Sequence, residues 1–189
     1  MPAGVFNHQG TYISALATLA KGAGAYLLPH PSNKSFEVKP RYPIAPWDWG
    51  TITPDIVLPA NVVSRESIRW LEKPNYNHVF VSGQQQGILG QITKAGTAGD
   101  LIAPMITDSL ITDVIAARQR GLAVLADTGK QREIQIKLPV LSATGIIQPG
   151  LFVLYAEPDG TPQLGLVRST NIEIGLPDVY QNLGLECHA

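Results

Sequence analysis

The first clear period in the chain is helical. Between residues 11 and 21, Ile13, Leu16, Ala17, Leu19 and Ala20 recur along one helix face, and Gly22 and Gly24 stop the run. Two short strands are expected next, at residues 25–28 and 35–39. They are joined by Pro29-His30-Pro31-Ser32-Asn33-Lys34, a run of turn formers. The pattern then breaks: Pro40, Pro43, Pro46, Pro54 and Pro59 each remove a backbone donor. Such a stretch suits neither a helix nor a central strand, and reads as an extended connector pinned by Trp47 and Trp49.

From residue 75 the period becomes two. Tyr76, His78, Phe80 and Ser82 alternate with Asn77, Val79 and Val81 as far as Gly83, and residues 87–93 look like the partner strand. Asp108 is placed to cap a helix over residues 110–126. There Leu110, Ile111, Val114, Ile115 and Arg118 keep helical spacing, and Gly121 weakens the second half. Further strands are expected at 133–138, 151–156, 164–169 and 180–186, with a turn at Glu157-Pro158-Asp159-Gly160-Thr161-Pro162. The chain thus divides into an αββ element (1–45), a proline-rich connector (46–74) and a β-rich domain (75–189) with one helix near 108–126. Parallel βαβ alternation is missing. The expected fold class is α+β and predominantly β, a small αββ element followed by antiparallel β-domain(s) with one further helix.

Charge alters the picture. Over 189 residues, 14 Lys+Arg face 15 Asp+Glu, and charged side chains make up only 15% against 44% hydrophobic ones. No basic field exists to hold phosphates, so nucleic acid is not an expected partner. A chain so apolar is not disordered, and a surface so poor in charge suggests cover by other subunits. Residues 1–20, 74–93 and 138–156 contain no Asp, Glu, Lys or Arg. The second is interrupted by Ser82, Gly83 and Gln84, the third by Pro139, Gly145 and Pro149, so no membrane span is expected. The N-terminus lacks the pattern of a signal peptide. Cys187 is the single cysteine, which excludes an internal disulfide and makes an intracellular site of synthesis the expectation.

Candidate chemistry is thin. Asp127-Thr128-Gly129 matches the core of the aspartic-protease motif, in which two aspartates share a proton. There is one copy, Lys130 stands where that pattern wants a small residue, and a helix end precedes it, so an ordinary turn explains the string better. Gly83, Gly87, Gly90, Gly96 and Gly99 lack the dinucleotide spacing and read as turns and a bulge. His8, His30, His78 and His188 show no metal-ligand spacing. Asp48 with Asp55, or Glu66 with Glu72, are the acid pairs a glycosidase would use, though solvated carboxylates are the simpler reading. Asn33-Lys34-Ser35 matches a glycosylation sequon, which means little without a secretion signal. No cofactor, metal or catalytic residue is expected. Trp47, Trp49 and Trp70 remain as candidate interaction residues, able to stack on a sugar, anchor a subunit interface or pin the connector to its own core.

The run Tyr26-Leu27-Leu28-Pro29-His30-Pro31, then Phe36-Glu37-Val38-Lys39-Pro40-Arg41-Tyr42-Pro43, then Pro46-Trp47-Asp48-Trp49 resembles a stretch of bacteriophage and prophage tail proteins of the baseplate-hub type. Also similar are Tyr76-Asn77-His78-Val79-Phe80-Val81-Ser82-Gly83 and Ala116-Ala117-Arg118-Gln119-Arg120-Gly121. Later come Ile147-Gln148-Pro149-Gly150-Leu151-Phe152-Val153, Leu164-Gly165-Leu166-Val167-Arg168-Ser169, and Tyr180-Gln181-Asn182-Leu183-Gly184-Leu185-Glu186-Cys187-His188. The resemblance covers residues 10–188 and rests on the order of several weak motifs. Hub proteins are longer, with further β-domains upstream, so it implies the C-terminal part of one or a short relative. It further implies a non-enzymatic virion structural component acting by assembly with other tail or baseplate proteins. A homo-oligomer is implied, a trimer favoured, made in the bacterial cytoplasm and carried in the virion tail. The alternatives are a carbohydrate- or receptor-binding module of a tail tip using Trp47 and Trp49, and an aspartic-protease-like or cell-wall hydrolase led by Asp127. Edge strands such as 133–138 are the surfaces expected to be covered in the assembly.

Overall fold

The computed structural model describes residues 6–59, 61–84, 87–175 and 178–188; residues 1–5 and 189 of the expected domains lie outside the described residues. In chain order the elements are α1 (Tyr12–Gly22), β1 (Ala25–Pro29), β2 (Phe36–Pro40), a 3-10 turn (Pro46–Thr51), β3 (Ile56–Val57), β4 (Arg65–Glu72), β5 (His78–Gly83), β6 (Gly87–Thr93), β7 (Ile106–Asp108), α2 (Val114–Ala126), β8 (Lys130–Pro139), β9 (Phe152–Ala156), β10 (Pro162–Ile174) and β11 (Val179–His188). The fold is α+β and predominantly β. Two compact units share the chain: residues 1–49 with 74–129, and residues 50–73 with 130–189.

In the first unit, α1 opens where the Thr11 side chain accepts a hydrogen bond from the Ser14 amide. The chain turns back at Gly24, which has φ +70° and would place a Cβ 2.8 Å from the Gln119 carbonyl; no side chain fits there. β1 and β2 then form an antiparallel hairpin in register from Ala25–Pro40 to Pro29–Phe36. β5 lies between β6, antiparallel, and β7, parallel. Val79, Val81, Ile92, Ala103, Ile111, Ala117 and Leu125 form the buried core beneath α2.

α2 begins later than its sequence suggests. Asp108 does cap something, but it is a turn, with its carboxylate on the Leu110 amide at 2.9 Å and its carbonyl on that of Ile111 at 3.2 Å. Asp113 is the helix cap, accepting from the Ile115 amide at 2.8 Å.

The second unit is a six-stranded sheet of order β3-β9-β10-β11-β8-β4, antiparallel throughout except at β3–β9. Ile134, Ile136 and Leu138 of β8 stand opposite Leu185, Leu183 and Gln181 of β11, all buried on one face. Here β8 corrects an expectation: residues 133–138 are not an edge but lie between β11 and β4. Both edges, β3 and β4, come from the stretch read as connector, where proline and charge suit a sheet margin. The sheet curls strongly. Tyr155 of β9 donates its hydroxyl to Glu66 of β4 at 2.7 Å, although four strand spacings of about 4.8 Å would hold them some ~19 Å apart in a flat sheet.

Candidate interaction surface

β4 pairs with β8 through eight residues, from Arg65–Lys137 to Glu72–Lys130, and no strand pairs along its other side among the described residues. Its side chains alternate between faces. Glu66, Ile68 and Trp70 stand opposite Ile136, Ile134 and Arg132, and so share the core face of the sheet. The Trp70 ring is nonetheless 68% exposed. The Arg132 guanidinium lies 5.2 Å from its centroid, bonds Glu157 at 3.0 Å, and donates to Gln163. A cation held on two sides therefore backs one face of the indole and leaves the rest to solvent. The arrangement provides a fixed aromatic platform beside an open strand, with no reactive group on it. The matching open edge is that of β10, which runs beyond β9: β9 covers it from Pro162 to Leu166, while Ile172 and Ile174 are exposed farther along.

The first unit has its own exposed apolar surface. Tyr12, Ile13, Leu16 and Leu19 lie along α1 and all face solvent, Tyr12 at 94% exposure, and every residue of β2 is exposed. Such side chains more often stand singly on a surface, so a stripe along one helix is a candidate contact surface.

The three tryptophans are not brought together by chain position: Trp47 and Trp49 share the 3-10 turn, and Trp70 is on β4. Trp49 is 6% exposed and donates its indole N–H to the Ile44 carbonyl at 3.0 Å. Trp47 is half-buried against the first unit's core, with Lys94 Nζ 5.1 Å above its ring. Asp127 ends α2 and accepts from Arg41 at 3.3 Å and Tyr42 at 3.4 Å, tying the segment after β2 to the helix. Asp55 accepts from the Phe152 amide at 2.8 Å, where β3 meets β9. Glu66 and Glu72 are six residues apart on one strand, roughly 20 Å, well beyond the ~5–9.5 Å between glycosidase carboxylates. His8 bonds Ser14, His30 accepts from the amides of Ser32 and Asn33, His78 bonds Thr93 and His188 bonds Glu186. Among the described residues no group of three His, Cys, Asp or Glu side chains is placed to hold a metal.

Sequence reading missed Arg132, Glu157, Ile68 and Ile172 as parts of a surface. The available signal was composition alone: Ile68, Trp70 and Leu71 stand among charged residues inside the supposed connector.

No family model matches the chain, and no curated protein matches it. Solved structures do match. The chain superposes on the tail protein from Neisseria meningitidis MC58 with a TM-score of 0.59 and 14% identity, over 96% of this chain and 56% of that one. It superposes on the 43 kDa tail protein of prophage MuSo2 from Shewanella oneidensis with a TM-score of 0.52 and 13% identity, over 90% of this chain and 52% of that one. At such identities the likeness is one of fold, and the chain spans little more than half the length of either. Both neighbours are tail proteins, the kind of protein that the motifs of this sequence resemble.

Proposed function

We propose that this protein is a non-enzymatic structural component of a phage or prophage tail, in or near the baseplate hub, and that it acts by subunit assembly. The observation that carries the reading is the shared fold with two tail proteins over at least 90% of the chain. The surface supports it: an open strand edge with an exposed tryptophan and an apolar helix stripe are features that assembly covers. The partners are other tail or baseplate proteins and further copies of this chain, with a trimer favoured. The chain is made in the bacterial cytoplasm and ends in the virion tail. A formal net charge of -1 gives no electrostatic footprint for nucleic acid. Among the described residues no helix is long and apolar enough to cross a membrane.

The sugar-binding alternative needs open tryptophan faces at 47 and 49, and the burial of Trp49 with the half-burial of Trp47 weighs against it. Light scattering over a concentration series tests the assembly reading. A stable trimer or larger ring supports it; a monomer at every concentration overturns self-assembly.

A further inference from the structure

The two open margins of the second unit's sheet are complementary, and the complementarity has one register. Among the described residues no strand pairs with β4 along the side away from β8, and of its side chains Glu66 meets Tyr155 of the same unit. β10 is free beyond the end of β9: main-chain bonds of residues 150 and 151 reach Val167, and no strand pairs with residues 171–174 on that side among the described residues. Three antiparallel steps (β10 to β11, β11 to β8, β8 to β4) separate them, so β4 and β10 run in opposite directions. A second copy set beside the first in a rotary arrangement therefore presents its β10 antiparallel to β4, the better-bonded of the two pairings.

Facing residues decide the rest. Ile172 and Thr170 stand opposite Gln181 and Leu183, on the same sheet face as Ile68 and Trp70. All of the apolar side chains concerned are exposed: Ile68 40%, Trp70 68%, Ile172 41%, Ile174 78%. Opposite residues must share a face, so the register moves in steps of two. One setting places Ile68 against Ile174, Arg69 against Glu173, Trp70 against Ile172 and Leu71 against Asn171. Two apolar pairs then lie on the core face and an opposite-charge pair on the other. A shift of two in one direction sets Ser67 against Glu173 and Arg69 against Asn171; in the other it sets Leu71 against Glu173. A two-fold pairing of β4 with itself centred on Arg69 opposes Arg69 to Arg69 and Glu66 to Glu72, both like-charged.

We propose that β4 of one copy pairs with residues 171–174 of β10 in the next, in the Arg69–Glu173 register, so that the sheet continues from subunit to subunit. This rests on the assembly reading above and names its partner, a second copy of this chain. The junction is heterologous, because one edge meets a different edge, and such contacts give a ring where the rotation between copies closes and an open filament where it does not. Arg69 and Glu173 are available for it. Arg69 now meets Glu133 at 3.5 Å in an exposed pair that costs little to exchange, whereas Glu173, itself exposed, accepts from the partly buried Lys137 at 2.7 Å and from Asn182 at 3.5 Å and would share its carboxylate with Arg69. Trp70, backed by Arg132, is the anchor.

The test is oxidative cross-linking of the full chain carrying Arg69→Cys and Glu173→Cys, in a Cys187→Ala background, beside a shifted control carrying Ser67→Cys and Glu173→Cys. Light scattering of each protein runs in parallel, and circular dichroism confirms folding. The expected result is an oligomer in which the in-register pair yields covalent dimers and higher species and the shifted pair does not. An oligomer in which neither pair links, or both link equally, overturns the junction and leaves the assembly reading standing. A monomer throughout overturns the junction together with self-assembly. Should the cysteine variants fail to fold, hydrogen exchange of the unaltered chain decides: the amides of residues 171–174 slow in the oligomer if the junction exists, and exchange as in the dilute monomer if it does not.

Discussion

Gly121 of α2 rests so closely on Ile92 of β6 that a Cβ at position 121 would stand 2.7 Å from Ile92 Cδ1 and 2.9 Å from Cγ1. The glycine weakens the helix intrinsically by about 1 kcal/mol relative to alanine, and the approach of helix to sheet is what that weakness permits. Gly121→Ala therefore sets a propensity gain against an overpacking cost of about 1–3 kcal/mol. Because two atoms of Ile92 are crowded and one is next to its Cβ, overpacking wins. The expected outcome is a lower urea midpoint, partly restored by adding Ile92→Val. An unchanged or raised midpoint would show that α2 slides freely over β6.

Gln181 is fully buried, yet its amide is used at both ends: it accepts from the Ile147 N–H at 3.0 Å and donates to the Gly145 carbonyl at 3.1 Å. Replacing it with leucine keeps the volume and orphans both backbone groups, at about 1–3 kcal/mol each. Urea denaturation should record the loss, and the Ile147 amide should exchange faster. Equal exchange in both proteins would mean that the 141–147 loop is held by something else.

Burial pushes the Cys187 thiol up to about 12 from an ordinary value of 9.0, against a lowering by Arg132 and a hydrogen bond with Gln163. Below about pH 9 the thiol is neutral folded and unfolded. Between 9 and 12 the unfolded chain ionises first, so this group's stabilisation is lost as pH rises, at up to about 1.4 kcal/mol per pH unit. The stability of Cys187→Ala should accordingly fall less steeply over that range than that of the parent. A thiol reagent at pH 8 should label the parent only after denaturant is added; prompt labelling of the native protein would contradict the burial.

Two tryptophans should answer alanine substitution in opposite ways. Trp49→Ala removes a buried ring and strands the Ile44 carbonyl, which costs about 3–5 kcal/mol of folding stability. Trp70→Ala should move the thermal midpoint little, since exposed positions contribute within about 0.5 kcal/mol. It should cost assembly about 2 kcal/mol or more, roughly 30-fold in dissociation concentration. A Trp70→Ala protein that assembles like the parent would remove the anchor from the proposed junction.

Much of the fold is written locally. The α1 period, the hairpin that follows it and the β5–β6 alternation are each set by neighbours a few residues apart, and each lies where its pattern predicts. β4 was not legible because an edge strand need not hide either face. Arg65, Glu66, Arg69 and Glu72 leave Ile68 and Leu71 without a clean alternation. β7 has three residues and no room for a period. Between two cap-like aspartates, Asp108 and Asp113, the choice depends on the turn that Ile111 makes into the core, a tertiary fact. The surface on β4 was legible in its composition and hidden in its geometry: Trp70 and Arg132 meet because β4 pairs with β8, which no local pattern announces.

The two edge strands of the second unit are made long before the strands they join. As the chain leaves the ribosome, residues 50–73 emerge while the first unit is half complete, and that unit can close once residue 129 is free. β4 then waits for β8, β3 waits for β9, and the ladder of β11 is not finished until His188 has emerged. Throughout that interval β4 offers unpaired amides and an exposed indole to every nascent neighbour on the same message. Order of synthesis thus leaves this margin without its sheet for longer than any other strand of the unit but β3, and the charges that line β4 are of the kind that keep an open strand soluble.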